Sequence, residues 1–215
     1  MLVPITRAKF EQLIPAISTG AQYSYYWGKG PDVLRRLLIS LVAVVILFIL
    51  GGILGGLLTL LGLVAGLYWL WAPVLWSSLR NQEYRRFLYS GFWQGQILDV
   101  FINEVLIGTE ETVNQQGDLV IVENRERRIN LEVGDETGFT TRVQVPLQRS
   151  YKPIRPGDVA EMLVFSNQPD LGRIAKVSDI YIPSYDLWVS DYPYLQRDVF
   201  VQVSRALQYD KVTYE

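Results

Sequence analysis

The 215-residue chain contains no cysteine and no histidine. Without thiols there is no disulfide framework, no thiolate metal centre and no cysteine nucleophile, and without imidazole the commonest general base and metal ligand is missing. Serines and threonines remain, but no histidine activates them and the lysines sit in no recognisable motif. The carboxylates show no EF-hand-like spacing that would make an oxygen-only metal site. Gly117–Asp118 and Pro156–Gly157–Asp158 are turn signals, and neither belongs to a phosphate-binding glycine loop. The residue inventory therefore reads as a protein that is not an enzyme, with no metal site and no certain cofactor.

Charge is also absent from one long stretch. No charged residue occurs between Arg36 and Arg80, so Leu37 to Leu79 forms an apolar run. A single helix over that run would be roughly 65 Å long, about twice the ~30 Å hydrocarbon core of a bilayer. Gly51, Gly52, Gly55 and Gly56 stand near its middle, where a chain reversal is needed and a missing Cβ permits one. The expected structure is a hairpin of two transmembrane helices, the first starting near Pro31 and the second running from Leu57 to Leu79 with a kink at Pro73. From Leu37 to Leu50 about a dozen large apolar residues favour insertion by about 5 kcal/mol in total. Gly51 and Gly55, Gly52 and Gly56, and Gly62 and Gly66 are each four apart, the spacing of a close helix-packing face; turn formation is the preferred role of the first four, and Gly62 and Gly66 suit close contact with the first arm. Ile53 and Leu54 leave the turn without a polar residue, so it either sits shallowly in the far interface or belongs to a re-entrant hairpin whose irregular backbone another membrane protein covers.

The run is framed by rings and cations. Tyr23, Tyr25, Tyr26 and Trp27 precede it and Tyr68, Trp69, Trp71 and Trp76 close it, as interfacial belts do. Arg35 and Arg36 on one side and Arg80, Arg85 and Arg86 on the other form a basic collar, which by the positive-inside rule places both termini on the cytoplasmic or stromal side. The collar either sets topology from solvent or binds anionic lipid. A secretory signal is excluded, because the apolar run begins too late and is too long.

Three segments result: 1–30, an N-terminal amphipathic and interfacial segment; 31–80, the hairpin; and 81–215, a cytoplasmic β-rich domain. In the first, Thr6 is placed to cap a short helix with Phe10, Leu13, Ile14 and Ile17 on one face. The third has alternating apolar and polar residues, with strands expected at Ile97–Leu106, Asp118–Glu123, Arg128–Val133, Phe139–Val145, Val159–Phe165 and Ile174–Ile182. They make a small antiparallel β-barrel or sandwich, closed by a C-terminal helix over Tyr194–Gln208. The mixed charges of Glu123 to Arg128 read as a solvated hairpin tip. Tyr185, Leu187 and Trp188, in a segment rich in Tyr, Pro, Asp and Ser, are the partner-contact candidates. Residues 1–36 carry five Lys/Arg against two acids and residues 80–215 fifteen against twenty. An acidic soluble part argues against nucleic-acid binding.

Leu2-Val3-Pro4-Ile5-Thr6, Tyr25-Tyr26-Trp27-Gly28 ahead of Arg35-Arg36-Leu37-Leu38, and Glu83-Tyr84-Arg85-Arg86 after the run together resemble a family of cyanobacterial and chloroplast thylakoid membrane proteins, often labelled phosphate transporter permeases. The resemblance implies a thylakoid location and a part in photosystem biogenesis, with photosystem II subunits or an assembly intermediate as partner. A chlorophyll contact would have to use a backbone carbonyl or a water as ligand. The permease label conflicts with two spans that carry little beyond Ser40 and Thr59 as polar groups.

The expected function is thus a non-catalytic membrane assembly or accessory factor. The alternatives are a transporter or channel component and a membrane-tethered β domain that partners a membrane protease in quality control.

Overall fold

A computed structural model describes residues 1–54, 57–113 and 118–214. The chain divides into two compact units, one made of Met1–Ile5 with Tyr89–Asp191 and the other of Thr6–Leu88 with Tyr192–Glu215.

The first unit is a large antiparallel sheet. Its strands are β1 (Leu2–Ile5), β2 (Tyr89–Val113), β3 (Leu119–Gly134), β4 (Thr140–Pro146), β5 (Val159–Ser166), β6 (Lys176–Val177), β7 (Ile180–Ile182) and β8 (Leu187–Val189). They form one 8-stranded sheet in the order β4-β3-β2-β5-β7-β8, with β1 beside β2 and β6 beside β5.

Period-two alternation puts Ile129, Leu131 and Val133 of β3 on one face, where they join Trp93, Ile97, Val145, Met162, Val164 and Ile182 in a single core. The Trp93 ring lies over Gly95, where any Cβ would collide with the indole and with the Gly134 carbonyl. The Trp93 indole N–H donates to Asp135 Oδ2 at 2.6 Å.

Strand β2 serves two neighbourhoods. Its first part pairs with β5 from Tyr89↔Ser166 to Gln96↔Val159, and its remainder pairs with β3 from Gln96↔Gly134 to Val113↔Leu119. Bulges between Ile97 and Asp99 and between Leu106 and Gly108 turn the strand along its length. Strand β4 accompanies β3 only from Arg128 to Gly134, so beyond it β2 and β3 continue as a two-stranded ribbon.

Several expectations are corrected here. The run Glu123–Arg128 lies inside β3, joining what read as two strands, because its charged side chains alternate along an exposed ribbon and do not mark a turn. The expected strand Ile174–Ile182 is divided into β6 and β7. Between them the Ser178 hydroxyl accepts from the Leu163 N–H at 2.9 Å and donates to the Asp179 carbonyl at 3.0 Å. The segment around Trp188 is a β7–β8 hairpin with Asp186 in the left-handed region (φ 48°), and strand pairing replaces the expected loop.

The second unit is helical: α1 (Arg7–Leu13), α2 (Gly20–Trp27), α3 (Gly30–Leu54), α4 (Leu57–Gly66), α5 (Tyr68–Arg85) and α6 (Arg197–Tyr214). Thr6 caps α1 by accepting from the Lys9 N–H, and Phe10, Leu13 and Ile14 are buried while Ile17 is exposed. A reciprocal capping box of Thr19 and Gln22 starts α2. In α6 the buried Phe200 and Ser204 lie one turn apart, and the Gln196 N–H just before it bonds to the Leu13 carbonyl at 2.8 Å. The C-terminal helix therefore belongs to the helical unit and not to the β domain that it was expected to close.

Over Gly30–Gly51, α3 is long and apolar enough to cross a membrane, and Ser40 is the one buried residue of that stretch. The second apolar segment is broken: Leu60–Gly66 and Tyr68–Arg85 pass the same test together but are bent by 76°. The break falls at Leu67, whereas Pro73 continues inside α5. Pro73 removes one N–H from the ladder, and the Ser77 hydroxyl bonds back to the Pro73 carbonyl at 2.7 Å. At the break, the Trp71 indole donates to the Val64 carbonyl at 2.8 Å and the Trp69 N–H donates to Ser40 Oγ at 3.2 Å. Two side chains thus occupy backbone groups that an interrupted helix leaves open.

Candidate site in the helical unit

The glycines come first, because they set how closely α3 and α4 approach. Gly51 and Gly52, expected in a turn, are helical residues of α3, as are Ile53 and Leu54; Gly55 and Gly56 lie outside the described residues. Mid-helix glycine costs only about 1 kcal/mol against alanine, less than leaving backbone groups unbonded in an apolar setting. A Cβ on Gly66 would stand 3.2 Å from Val44 Cγ2 and one on Gly62 would stand 3.9 Å from Leu47 Cβ. Only Gly66 is held tightly. Beside them Val44, Phe48, Leu58, Gly62, Gly66 and Leu67 border an apolar groove of about 400 Å³.

The aromatic residues and arginines named from the sequence come together in this unit, but the arginines divide by role. Arg85 is a tie: it donates to the Ile14 carbonyl at 2.6 Å and the Glu11 carbonyl at 3.2 Å and pairs with the Glu11 carboxylate at 3.4 Å. Arg7 reaches the Phe87 and Arg85 carbonyls and hydrogen-bonds Glu11, holding that exposed carboxyl below its ordinary range.

Arg80 is enclosed by rings. Its guanidinium carbon lies 4.3 Å from the Tyr192 ring centre, 5.1 Å from Tyr194 and 6.0 Å from Tyr25, and its Nε–H donates to the Tyr194 hydroxyl at 2.8 Å. The Tyr84 ring packs against that of Tyr194 at a tilt of 40°, with centres 4.1 Å apart. Arg36 donates to the Tyr26 carbonyl at 2.7 Å and to the Trp27 carbonyl, and its guanidinium faces the Trp27 ring. Arg35 and Arg86 are exposed, and their side chains bond to no described residue. The basic collar is therefore three structural ties and two free cations.

Beneath the rings lies a pair that sequence reasoning missed. Gln22 and Asn81 are fully buried and exchange hydrogen bonds, Asn81 Nδ2 to Gln22 Oε1 at 2.8 Å and Gln22 Nε2 to Asn81 Oδ1 at 3.1 Å. Gln22 Nε2 also donates to the Pro193 carbonyl at 2.9 Å, so one amide joins α2, α5 and the segment before α6. The Thr19-x-x-Gln22 capping spacing was the available signal for its position.

The partner-contact candidates lie in the sheet unit. Trp188 is half-buried with its ring 4.7 Å from that of Tyr181, Leu187 is half-buried, and Tyr185 is 41% exposed with its hydroxyl donating to Asp158 Oδ1 at 3.4 Å. The ribbon of β2 and β3 presents more apolar surface: Leu119 is 71% exposed, Ile121 65% and Ile107 57%. Among the described residues no group of three or more carboxylates could hold a metal ion.

A family model described as "Family of unknown function (DUF8619)" matches residues 3–210, and the chain belongs to that family. Comparisons with curated proteins and with solved structures give no match.

Proposed function

We propose that this protein is a non-catalytic, membrane-embedded accessory or assembly factor. Its apolar helices pack beside those of a larger membrane complex while its β-sheet unit docks on the same complex outside the bilayer. The observation that carries the reading is the exposure of α3, whose apolar side chains are left uncovered along a stretch long enough to span hydrocarbon. A core helix of a water-soluble domain would hide such a surface, and one contiguous apolar face of this size marks a lipid or protein contact.

In this reading α3 is one arm of a hairpin and the bent pair α4–α5 is the other. The Gly66–Val44 contact supports two arms side by side. The apolar border of the groove between them offers no polar path for a transported ion, which favours an accessory role over a channel. The resemblance to thylakoid proteins supplies the partner class, a photosynthetic complex with photosystem II first, and a thylakoid location with the sheet unit on the cytoplasmic or stromal side.

The test is native purification of the tagged protein in mild detergent from a photosynthetic host, with partner identification and an absorption spectrum. Co-purifying photosystem subunits support the reading, whereas recovery of the chain alone or with a membrane protease refutes it. Extraction of membranes with alkaline carbonate checks the embedding separately: the chain stays in the pellet if the helices are inserted and is released if they are not.

A further inference from the structure

We infer that the recess in front of Arg35 and Arg36 is a binding site for a monoanionic phospholipid headgroup. The inference deepens the membrane reading above and rests on it for the source of the ligand.

The recess, about 480 Å³, is bordered by Asp32, Arg35, Arg36 and Ile39 of α3 and by rings that include Tyr25, Tyr26, Tyr68 and Trp76. That size suits a small ligand, and its lining changes character along α3. Arg35 and Arg36 lie in the second turn of the helix, and Ile39, one turn further on, belongs to the apolar run. An occupant with a charged head and an apolar tail would satisfy both ends, as a lipid does.

The charge within the recess is positive and incompletely used. Arg35 is exposed, and its side chain bonds to no described residue. Arg36 directs two N–H groups at backbone carbonyls, which fixes the side chain without neutralising it, and its solvent-shielded Nε–H has no acceptor among the described residues. Asp32 is the opposing group: its carboxylate accepts from the Lys29 N–H at 2.9 Å. Two arginines against one carboxylate leave a single net positive charge, which selects a monoanion such as a phosphodiester over a doubly charged phosphate. The half-fixed guanidinium of Arg36 lowers the ordering cost of binding.

The experiment uses the full chain in neutral detergent micelles, where the site is tested whether or not the protein proves to be inserted in cells. Binding of phosphatidylglycerol, phosphatidylcholine and inorganic phosphate is measured by native mass spectrometry and by thermal shift, for the wild type, Arg35→Gln and Arg86→Gln. Arg86 is an exposed cation outside the recess and serves as the control. Phosphatidylglycerol should bind about tenfold tighter than phosphatidylcholine, Arg35→Gln should lower that affinity about fivefold, and Arg86→Gln should leave it unchanged. Inorganic phosphate in millimolar excess should not displace the lipid. Equal losses in the two variants would reveal only a diffuse basic collar and overturn the site, as would the absence of any preference between the lipids. Displacement by inorganic phosphate would overturn the lipid as its ligand in favour of a soluble anion.

Discussion

Replacing Gln22 by leucine should be among the most damaging single changes in the helical unit, although it conserves volume and keeps a good helix former. The substitution deletes the two bonds with Asn81, the bonds to the Pro193 and Tyr194 carbonyls and the bond that Gln22 Oε1 accepts from the Thr19 N–H at 3.1 Å. At the low end of the usual range each satisfied bond contributes about 0.5 kcal/mol net, and stranding the fully buried Asn81 amide adds a desolvation penalty of about 2 kcal/mol, so the loss should reach about 4 kcal/mol. Asn81→Leu leaves Gln22 with its Pro193, Tyr194 and Thr19 partners and should cost less, about 2–3 kcal/mol.

The double variant removes both amides together and strands neither. Its cost should fall short of the sum of the single losses by at least about 1 kcal/mol. The assay is unfolding of the purified chain in mixed micelles, followed by near-ultraviolet circular dichroism and tryptophan emission. A lowering of the midpoint by about 8–16 °C for Gln22→Leu is the expected scale in a chain of this length. A loss below about 1 kcal/mol, or strict additivity of the two changes, would refute the claim that this pair locks α2 to α5.

Further outcomes are expected elsewhere. Gly66→Leu should destabilise by more than about 2 kcal/mol because its side chain must enter the space of Val44, while Gly62→Ala, with only ordinary contact at 3.9 Å, should be neutral or slightly stabilising in the same unfolding assay. Burial opposes ionisation of Asp135, but hydrogen bonds from Thr137 and Trp93 outweigh it and hold the folded carboxyl below its ordinary range. Its stabilising contribution is therefore complete above the unfolded value near pH ~4 and is lost as pH falls through the lower folded value. Asp135→Asn should flatten that acid-side loss in a titration of tryptophan emission. Leu119→Lys combined with Ile121→Lys, both on the exposed ribbon, should change stability by less than about 0.5 kcal/mol each yet abolish co-purification of the partner complex; retained co-purification would clear the ribbon of a docking role.

What could be read from the sequence follows the range of the interactions involved. The apolar run needed only a count of missing charges, and α3 appears where Pro31 and Asp32 suggested it would start. Capping is also local, so Thr6 was recognisable as the N-cap of α1. The antiparallel sheet was legible from alternation, but β1 was missed because it is short and contains Pro4. The ribbon was misread for a physical reason: with few neighbours to cover it, its strands carry charges on both faces, and Glu123 to Arg128 then looks like a turn. The arginines were legible only as a group. What separates Arg85 from Arg86 is a pair of carbonyls more than 70 residues away in sequence, and composition does not encode such pairings.

Ser40 shows the same limit and gives the clearest link between packing and membrane placement. In the sequence it is an isolated polar residue in an apolar run, easily dismissed as tolerated. In the fold its hydroxyl accepts the Trp69 N–H, one of the donors exposed where α4 gives way to α5, while Trp71 returns its own indole N–H to Val64. In water such groups would be solvated at little cost, and neither contact would be needed. Within hydrocarbon an unpaired backbone donor costs several kcal/mol, so a bent helix persists there only if side chains complete it. Ser40→Ala should therefore cost about 1–2 kcal/mol when the protein is held in a bilayer-like disc, and clearly less for a fragment spanning the same break in aqueous solution. Equal costs in the two media would mean that the break lies in water, and the second arm of the proposed hairpin would have to be withdrawn.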